Sequence, residues 1–354
     1  MLAAAAALAL AVGPAALDYE IVDSVRVDMG YRAGFQVLCL GAGPTGGVVA
    51  GGVTGEGVDY MSRAFTVGLG SGWDVLWNGM TEGVNSGWIS SVSPTWDGGC
   101  LCGGATDYSP GDRGDAWVVA LDPGGFTRWQ HHREGESELA EVSWVSGSHM
   151  RSLAAGYTHD QAGRPRSWLM RLDDTGRATS RSEVDLDGFK ALGACSTFAG
   201  ETVMVGSRYG AAAAVMLDGE GETAWTDPAI VEGALATVEE CEGGVLSGGH
   251  AYSDRGDPIL CLHSGAGGSR WMRNLAEYGY SGSVFDLAVI PGMGSALVLT
   301  DSPVLVICDR QGKPLGEVDP GFRPSAVAAL QDGTLAVAGS GMGEVRLARL
   351  RITR

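Results

Sequence analysis

Short apolar runs alternate with glycine-bearing turns along nearly the whole chain, and the alternation has two recurring forms. The first is an apolar strand, a glycine-containing turn and a second strand that ends in small residues. It reads "VLCLGAGPTGGVVAGGV" (37–53), "SSVSPTWDGGCLCGGA" (90–105), "EVSWVSGSHMRSLAAGY" (141–157) and "ALGACSTFAGETVMVGS" (191–207). It continues as "ALATVEECEGGVLSGG" (234–249), "FDLAVIPGMGSALVLT" (285–300) and "SAVAALQDGTLAVAGS" (325–340). Runs of this length bounded by turn residues predict β-hairpins, seven in all. The alanine and glutamate of "EGALATVEE" favour helix locally, but the place of this segment in the series predicts strand.

The second form follows each of the first six hairpins: an apolar strand, a Leu-Asp or equivalent, a glycine turn, then tryptophan. It reads "AFTVGLGSGWDVLW" (64–77), "AWVVALDPGGFTRW" (116–129) and "SWLMRLDDTGRATS" (167–180). Three more copies are "AAVMLDGEGETAW" (213–225), "PILCLHSGAGGSRW" (258–271) and "VLVICDRQGKPLG" (304–316). The tryptophan position falls at Trp77, Trp129, Ser180, Trp225, Trp271 and Gly316, at intervals of 52, 51, 45, 46 and 45 residues. A period of about 40–50 residues with four strands per unit is that of a β-propeller blade. Within each unit the hairpin gives strands a and b, and the second form gives strands c and d, with a variable loop between b and c. The tetrapeptide Asp-Arg-Gly-Asp occurs at 112–115 and again at 254–257, three units apart in the same b–c loop, so repeat descent explains it better than adhesion.

The seventh unit has a strand c, "EVRLARLRI" (344–352), and no strand d after it. "YEIVDSVRVD" (19–28) precedes the first hairpin and belongs to no other unit. Pairing it into the last blade would close the ring and remove an open sheet edge. The expectation is an all-β, seven-bladed propeller of four-stranded antiparallel blades, spanning 18–354 as a single domain, with six or eight blades as alternatives.

Composition narrows what such a ring does. There are 57 glycines and 13 prolines without a collagen period, which fits many tight turns. The net charge is −18, and lysine occurs only as Lys190 and Lys313. Nucleic-acid binding and anionic membranes are disfavoured, because both rest on clustered cations. The start "MLAAAAALALAVGPAALDYE" is apolar from Leu2 to Val12, too short to span a bilayer and of the length of a signal-peptide core, though no lysine or arginine precedes it. Residues 1–17 are read as a signal-like or disordered leader, and the protein as periplasmic or secreted, with a cytoplasmic location as the alternative. No later segment reads as transmembrane. The seven cysteines are scattered, and Cys100 and Cys102 face one side of a strand without a second pair at zinc spacing, so they read as buried thiols.

The repeat resembles bacterial and archaeal propeller repeats of the type "GG…aG…D.wl.kLD..G…W". It is also similar to the tryptophan-docking motif of quinoprotein-like propellers, through segments such as "VVALDPGGFTRW". The resemblance covers residues 19–354 and implies fold rather than activity. The Asp-to-Trp spacing is one residue shorter than in the docking motif. No adjacent cysteine pair, quinone pocket or calcium-ligand set is visible, so no cofactor is implied. The Gly-His and Trp-Asp signature of WD40 blades is absent as well.

Candidate chemistry lies in the b–c loops, which vary in length while the c–d turns repeat. Variable loops suit a recognition face. Tyr108, Tyr157, His159, Tyr209, His250 and Tyr252 are the candidate ligand-binding residues, with Asp112, Asp160 and Asp254 favouring a cationic or hydroxyl-rich ligand over an anion. His159 and His250 lack the HxxxH or HExxH spacing of a metal site, His131 and His132 alternate to opposite faces of a strand, and Asp107, Asp112 and Asp115 form no calcium loop. No metal is expected, and no catalytic constellation recurs. The functional expectation is a non-catalytic binding or scaffold module for a protein partner or polar ligand. A propeller enzyme acting on a glycan or other polar polymer, or a structural subunit of a larger complex, are the alternatives.

Overall fold

A computed structural model describes residues 17–30, 34–55, 62–81, 86–106, 114–133, 140–147, 152–228, 230–253, 256–341 and 343–353. Residues 1–16 of the leader lie outside them, as do Asp112, Arg113, Asp254 and Arg255. Seven four-stranded antiparallel sheets follow one another along the chain. The innermost strand of each touches that of the next, and the innermost strand of the seventh touches that of the first, which closes a ring. A 3-10 turn at Leu275–Tyr278 is the one helical element among the described residues.

Six blades are continuous in sequence, and the seventh is not. Its sheet holds Pro324–Ala329, Leu335–Ser340 and Glu344–Thr353, and its outer strand is Asp18–Asp28. The register runs from Asp18 opposite Thr353 to Asp28 opposite Glu344, with Val25 against Leu347 and Val27 against Val345. The two Asp-Arg-Gly-Asp copies end at equivalent places: Asp115 opens strand c of blade two (Asp115–Leu121) and Asp257 opens strand c of blade five (Asp257–His263).

The repeated Leu-Asp-x-x-Gly segment is a clamped turn. Asp122 Oδ1 accepts from the amides of Gly124 and Phe126 at 2.8 and 2.9 Å, and Asp173, Asp218 and Asp309 repeat the pattern in blades three, four and six. The following glycine has a positive φ, +81° at both Gly125 and Gly176. A residue without a Cβ is favoured there. The tryptophan of one blade lies on that glycine of the next blade: Trp77 on Gly125, Trp129 on Gly176, Trp225 on Gly267 and Trp271 on Gly312. Each of these four indoles is the third residue of its strand d and is half-buried. Blade one breaks the rule, because its turn carries Trp73 at φ +63° where the others carry glycine. Trp73 is 5% exposed and packs with Val27, Met29 and Val345, at the junction with blade seven, whose outer strand supplies no tryptophan.

Every innermost strand contains a β-bulge. It allows core residues three apart to point the same way, as Ile89 and Val92, Val142 and Val145, Leu235 and Val238, and Val284 and Leu287 do. An unbulged strand would put residues three apart on opposite faces. Strand b makes room for the bulge with a glycine. A Cβ on Gly104 would stand 1.9 Å from the Trp88 carbonyl oxygen, and one on Gly156 2.0 Å from that of Glu141.

Candidate functional site: the axial channel and its b–c mouth

The bulges decide what the axis of the ring is made of. They turn a set of inner-strand side chains away from the sheet-to-sheet core and towards a channel of about 690 Å³. Its wall includes serines 90, 91, 93, 143, 146 and 196, the carboxyls Glu141, Glu239 and Asp286, and the aromatics Trp88, Trp144, Tyr157 and Phe285. No lysine, arginine or histidine lines it among the described residues.

Part of this polar lining sews one blade to the next. The inner strand has no sheet partner on its channel side, so its amides need other acceptors. Val145 and Gly147 donate to Ser91 and Ser93 Oγ, both at 3.0 Å, and Val37 donates to Ser340 Oγ at 2.8 Å. Val289 donates to Glu239 Oε2 at 2.6 Å, and Val327 to Asp286 Oδ2 at 2.9 Å. Leu287 donates to Asp286 Oδ1 at 2.9 Å. Burial pushes the Glu239 carboxyl up to about 8 and that of Asp286 up to about 7, against the opposing pull of those amides. Both carboxyls open to the channel lumen, yet protein encloses them on the other sides, which disfavours the charged form.

The mouth on the b–c loop side holds a network. Glu141 Oε1 accepts from Trp88 Nε1 at 3.1 Å, and Oε2 accepts from the Tyr157 hydroxyl at 2.9 Å. Lys190 places its ammonium 4.4 Å from the Tyr157 ring centre. His159 meets the same ring edge-on at 5.6 Å. Burial and the Glu141 charge hold the Tyr157 proton far above its usual range.

Of the residues the sequence singles out, Tyr108 lies outside the described residues. Tyr157 is buried at 2% exposure near the end of a strand, Ser152–His159, and it alone of the other five lines the channel. His159 stands beside it. Tyr209, His250 and Tyr252 form a separate group on blades four and five. Tyr209 is exposed, takes φ +50° and donates to Asp187 Oδ2 at 2.6 Å. That bond holds its hydroxyl proton above the usual range. Tyr252, also exposed, approaches Gly210 beside it and meets His250 edge-on at 5.5 Å. His250 Nδ1 is 3.4 Å from Ser283 Oγ. The five described residues therefore fall into two groups, Tyr157 with His159 and Tyr209 with His250 and Tyr252.

Trp88, Glu141, Trp144, Glu239, Phe285 and Asp286 were not singled out by sequence reasoning. The four core-forming pairs at spacing three in the inner strands would have exposed the bulges and, through them, the lumen-facing set.

The remaining polar clusters are structural. Cys100 and Cys102 lie side by side with their sulfurs 3.6 Å apart, buried, and all seven cysteines are free thiols. The Cys100 sulfur and burial raise the Cys102 thiol well above its usual value. Among the described residues no group of three or more His, Cys, Asp or Glu side chains is placed to hold a metal ion, and no helix is long and apolar enough to cross a membrane.

No protein-family model matches the chain, and no curated protein matches it in sequence. Solved structures do match in fold. The WD40 β-propeller domain of Doa1 aligns over 93% of this chain and 96% of its own, with a TM-score of 0.59 at 12% identity. This chain is a seven-bladed β-propeller with WD40-like neighbours. Sqt1 of Chaetomium thermophilum, solved bound to the N-terminus of the ribosomal protein L10, aligns over 89% of this chain and 84% of its own, with a TM-score of 0.55 at 14% identity. YCF48 bound to D1 peptide aligns over 95% and 97%, with a TM-score of 0.56 at 11% identity. In this chain tryptophan-on-glycine contacts join neighbouring blades at four junctions.

Proposed function

We propose that this propeller is a non-catalytic binding module that takes a protein segment at the b–c mouth of its axial channel. The observation that carries the reading is the mouth itself, where Trp88, Glu141 and Tyr157 from two blades join in one network at the end of an open channel. The channel carboxyls Glu239 and Asp286 are held by backbone amides of the following blade, which is a use in architecture. Two fold neighbours, Sqt1 and YCF48, were solved with a peptide or N-terminal segment of another protein, and that precedent supports the same mode here. The reading extends to an exported protein, periplasmic or secreted, on the strength of the apolar stretch from Leu2 to Val12. It also extends to kinship with quinoprotein-like propellers, on the strength of the four tryptophan docks.

The test is selection from a displayed random-peptide library, followed by competition with two sets of ring variants. Trp88→Ala and Glu141→Gln alter the b–c mouth, and Trp96→Ala and Phe126→Ala alter the a–b and c–d turns on the opposite face. The reading expects selected peptides to lose binding to the first set and keep it with the second. Loss confined to the second set would put the working surface on the opposite face.

A further inference from the structure

The channel carries a chemical preference that the binding reading does not use. Three carboxyls, Glu141, Glu239 and Asp286, line it together with the faces of Trp88, Trp144, Tyr157 and Phe285. Phe285 stays 38% exposed, a large apolar side chain at a bulge where the strand presents it to the lumen. Among the described residues no donor reaches Glu239 Oε1, since the one amide bond to this carboxyl falls on Oε2. Anionic ligands are disfavoured, because among the described residues no cationic side chain lines the wall. A hard divalent ion wants six or more converging oxygens, and among the described residues no group of three or more acidic, histidine or cysteine side chains is placed to hold one. Carboxylates combined with aromatic faces suit an organic cation, which gains both a charge partner and the ring quadrupole. The cavity, about 690 Å³, lies within the range of about 300–1,000 Å³ common to ligand sites. Lys190 already shows the mode at the rim, with its ammonium against the Tyr157 ring.

We propose that the axial channel is a receptor for an organic cation, an alkylammonium or guanidinium group, admitted from the b–c mouth and held by the Glu239 and Asp286 carboxylates and the lumen aromatics. This rests on the binding reading above and names its ligand chemistry. The cation comes either from a free polyamine or from a lysine or arginine side chain of a bound protein segment. Without a cation beside them both carboxyls hold their protons to about neutral pH, because burial outweighs the opposing pull of the backbone amides. A bound cation offsets their charge, so binding releases protons and tightens as the pH rises from about 6 to 8. Of the other charged groups facing the lumen, Glu141 adds to the attraction, and Lys190 at the rim opposes it.

The experiment is titration calorimetry of the full chain with three probes: spermidine, N-acetyl-lysine methylamide and N-acetyl-arginine methylamide. Each is run at pH 7.5 in phosphate and in HEPES, whose different ionisation heats report proton release. The proposal expects at least one probe to bind with proton release. It also expects loss of about tenfold or more in affinity in Glu239→Gln/Asp286→Asn, as follows from removing two charges in a shielded site. The amides keep an oxygen for Val289 and Val327, and circular dichroism checks that the ring is intact. Phe285→Ala, which touches no stitch, should also weaken binding. Spermidine alone binding points to a free polyamine, and the amino-acid amides binding points to a partner's side chain. No binding by any probe, or affinity unchanged in both variants, overturns the proposal. The library selection is independent of these probes, so peptides that still depend on Trp88 and Glu141 would leave the binding reading standing.

Discussion

The Trp129 indole presses on Gly176 of the next blade so closely that a Cβ added to that glycine would stand 2.4 Å from the ring. The contact joins strand d of blade two to the c–d turn of blade three, and the same contact recurs at three other blade junctions. Gly176→Ala meets two penalties, the positive φ and the collision. Together these should cost roughly 2–5 kcal/mol. Trp129→Ala should cost about 3 kcal/mol, the lower end for a large aromatic, since the indole is half-buried. In the Trp129→Ala background Gly176→Ala should cost less than alone, because the two residues touch. Denaturant unfolding of the four proteins measures this, and strict additivity would show that the contact is not a shared one.

Closure of the ring should depend on the strand Asp18–Asp28. Its removal uncovers the edge of Glu344–Thr353 and the side chains of Val345 and Leu347, both buried in the closed ring. An uncovered edge of that length is a template for pairing with another chain. Deleting 18–28 should convert a monodisperse protein into aggregates on size exclusion. A deletion variant that stays monodisperse and melts at the wild-type temperature would mean that the outer strand is dispensable.

The two channel carboxyls set the alkaline side of the stability profile. Their folded values, about 8 for Glu239 and about 7 for Asp286, lie above the usual carboxylate range near 4. Between those limits the folded ring holds protons that the unfolded chain has released. Stability from these groups is therefore full below about pH 4 and is lost as pH rises towards 7–8. Melting temperature, followed with pH in the absence of amines, should fall less steeply between pH 5 and 8 in Glu239→Gln/Asp286→Asn than in wild type. Parallel profiles would place the titrating groups elsewhere.

His263 acts in the opposite sense. It is fully buried between blades four and five, stacked on Trp225, with Nε2 2.8 Å from Ser247 Oγ and Nδ1 4.0 Å from Asp227 Oδ2. Burial lowers its value to about 4, and the Asp227 charge only partly offsets that. The stability it contributes is present above about pH 6.5 and is lost as pH falls towards 4, on the order of 3 kcal/mol for a shift of this size. The Ser-His-Asp order resembles a hydrolase triad, yet Ser247 and His263 are both closed to solvent. His263→Gln should flatten the acid limb of the melting profile relative to wild type.

The blades were legible in the sequence because two signals repeat in phase: the hairpin ending in small residues, and the Asp-x-x-Gly turn followed by tryptophan. Each has a physical cause in the structure, the glycine beneath the bulge carbonyl and the clamped turn under an indole. The outer strand of blade seven was legible by subtraction, since Asp18–Asp28 had no other sheet to join. The channel was not legible, because alternation read strictly at period two assigns Glu239 and Asp286 to ordinary strand faces. The bulges between Leu235 and Thr237 and between Val284 and Asp286 change that parity. The tyrosines and histidines attracted notice as chemically dressed residues, but Tyr157 is held by its own fold partners, and Tyr209, His250 and Tyr252 group on a different part of the face. Trp73 carries no signal of its own in the repeat, and its position at positive φ makes it the replacement for a missing dock.

The pairing of Asp18–Asp28 with Glu344–Thr353 also imposes an order in time. The strand that completes the ring leaves the ribosome before the six continuous blades, and its partner leaves after them. Six blades assemble from neighbours in sequence, but the outer strand waits through the synthesis of some three hundred residues before it has anything to pair with. Contacts of such separation form late and slowly. During that interval the strand stays unpaired, which calls for shielding by a chaperone or by delayed folding of the whole ring.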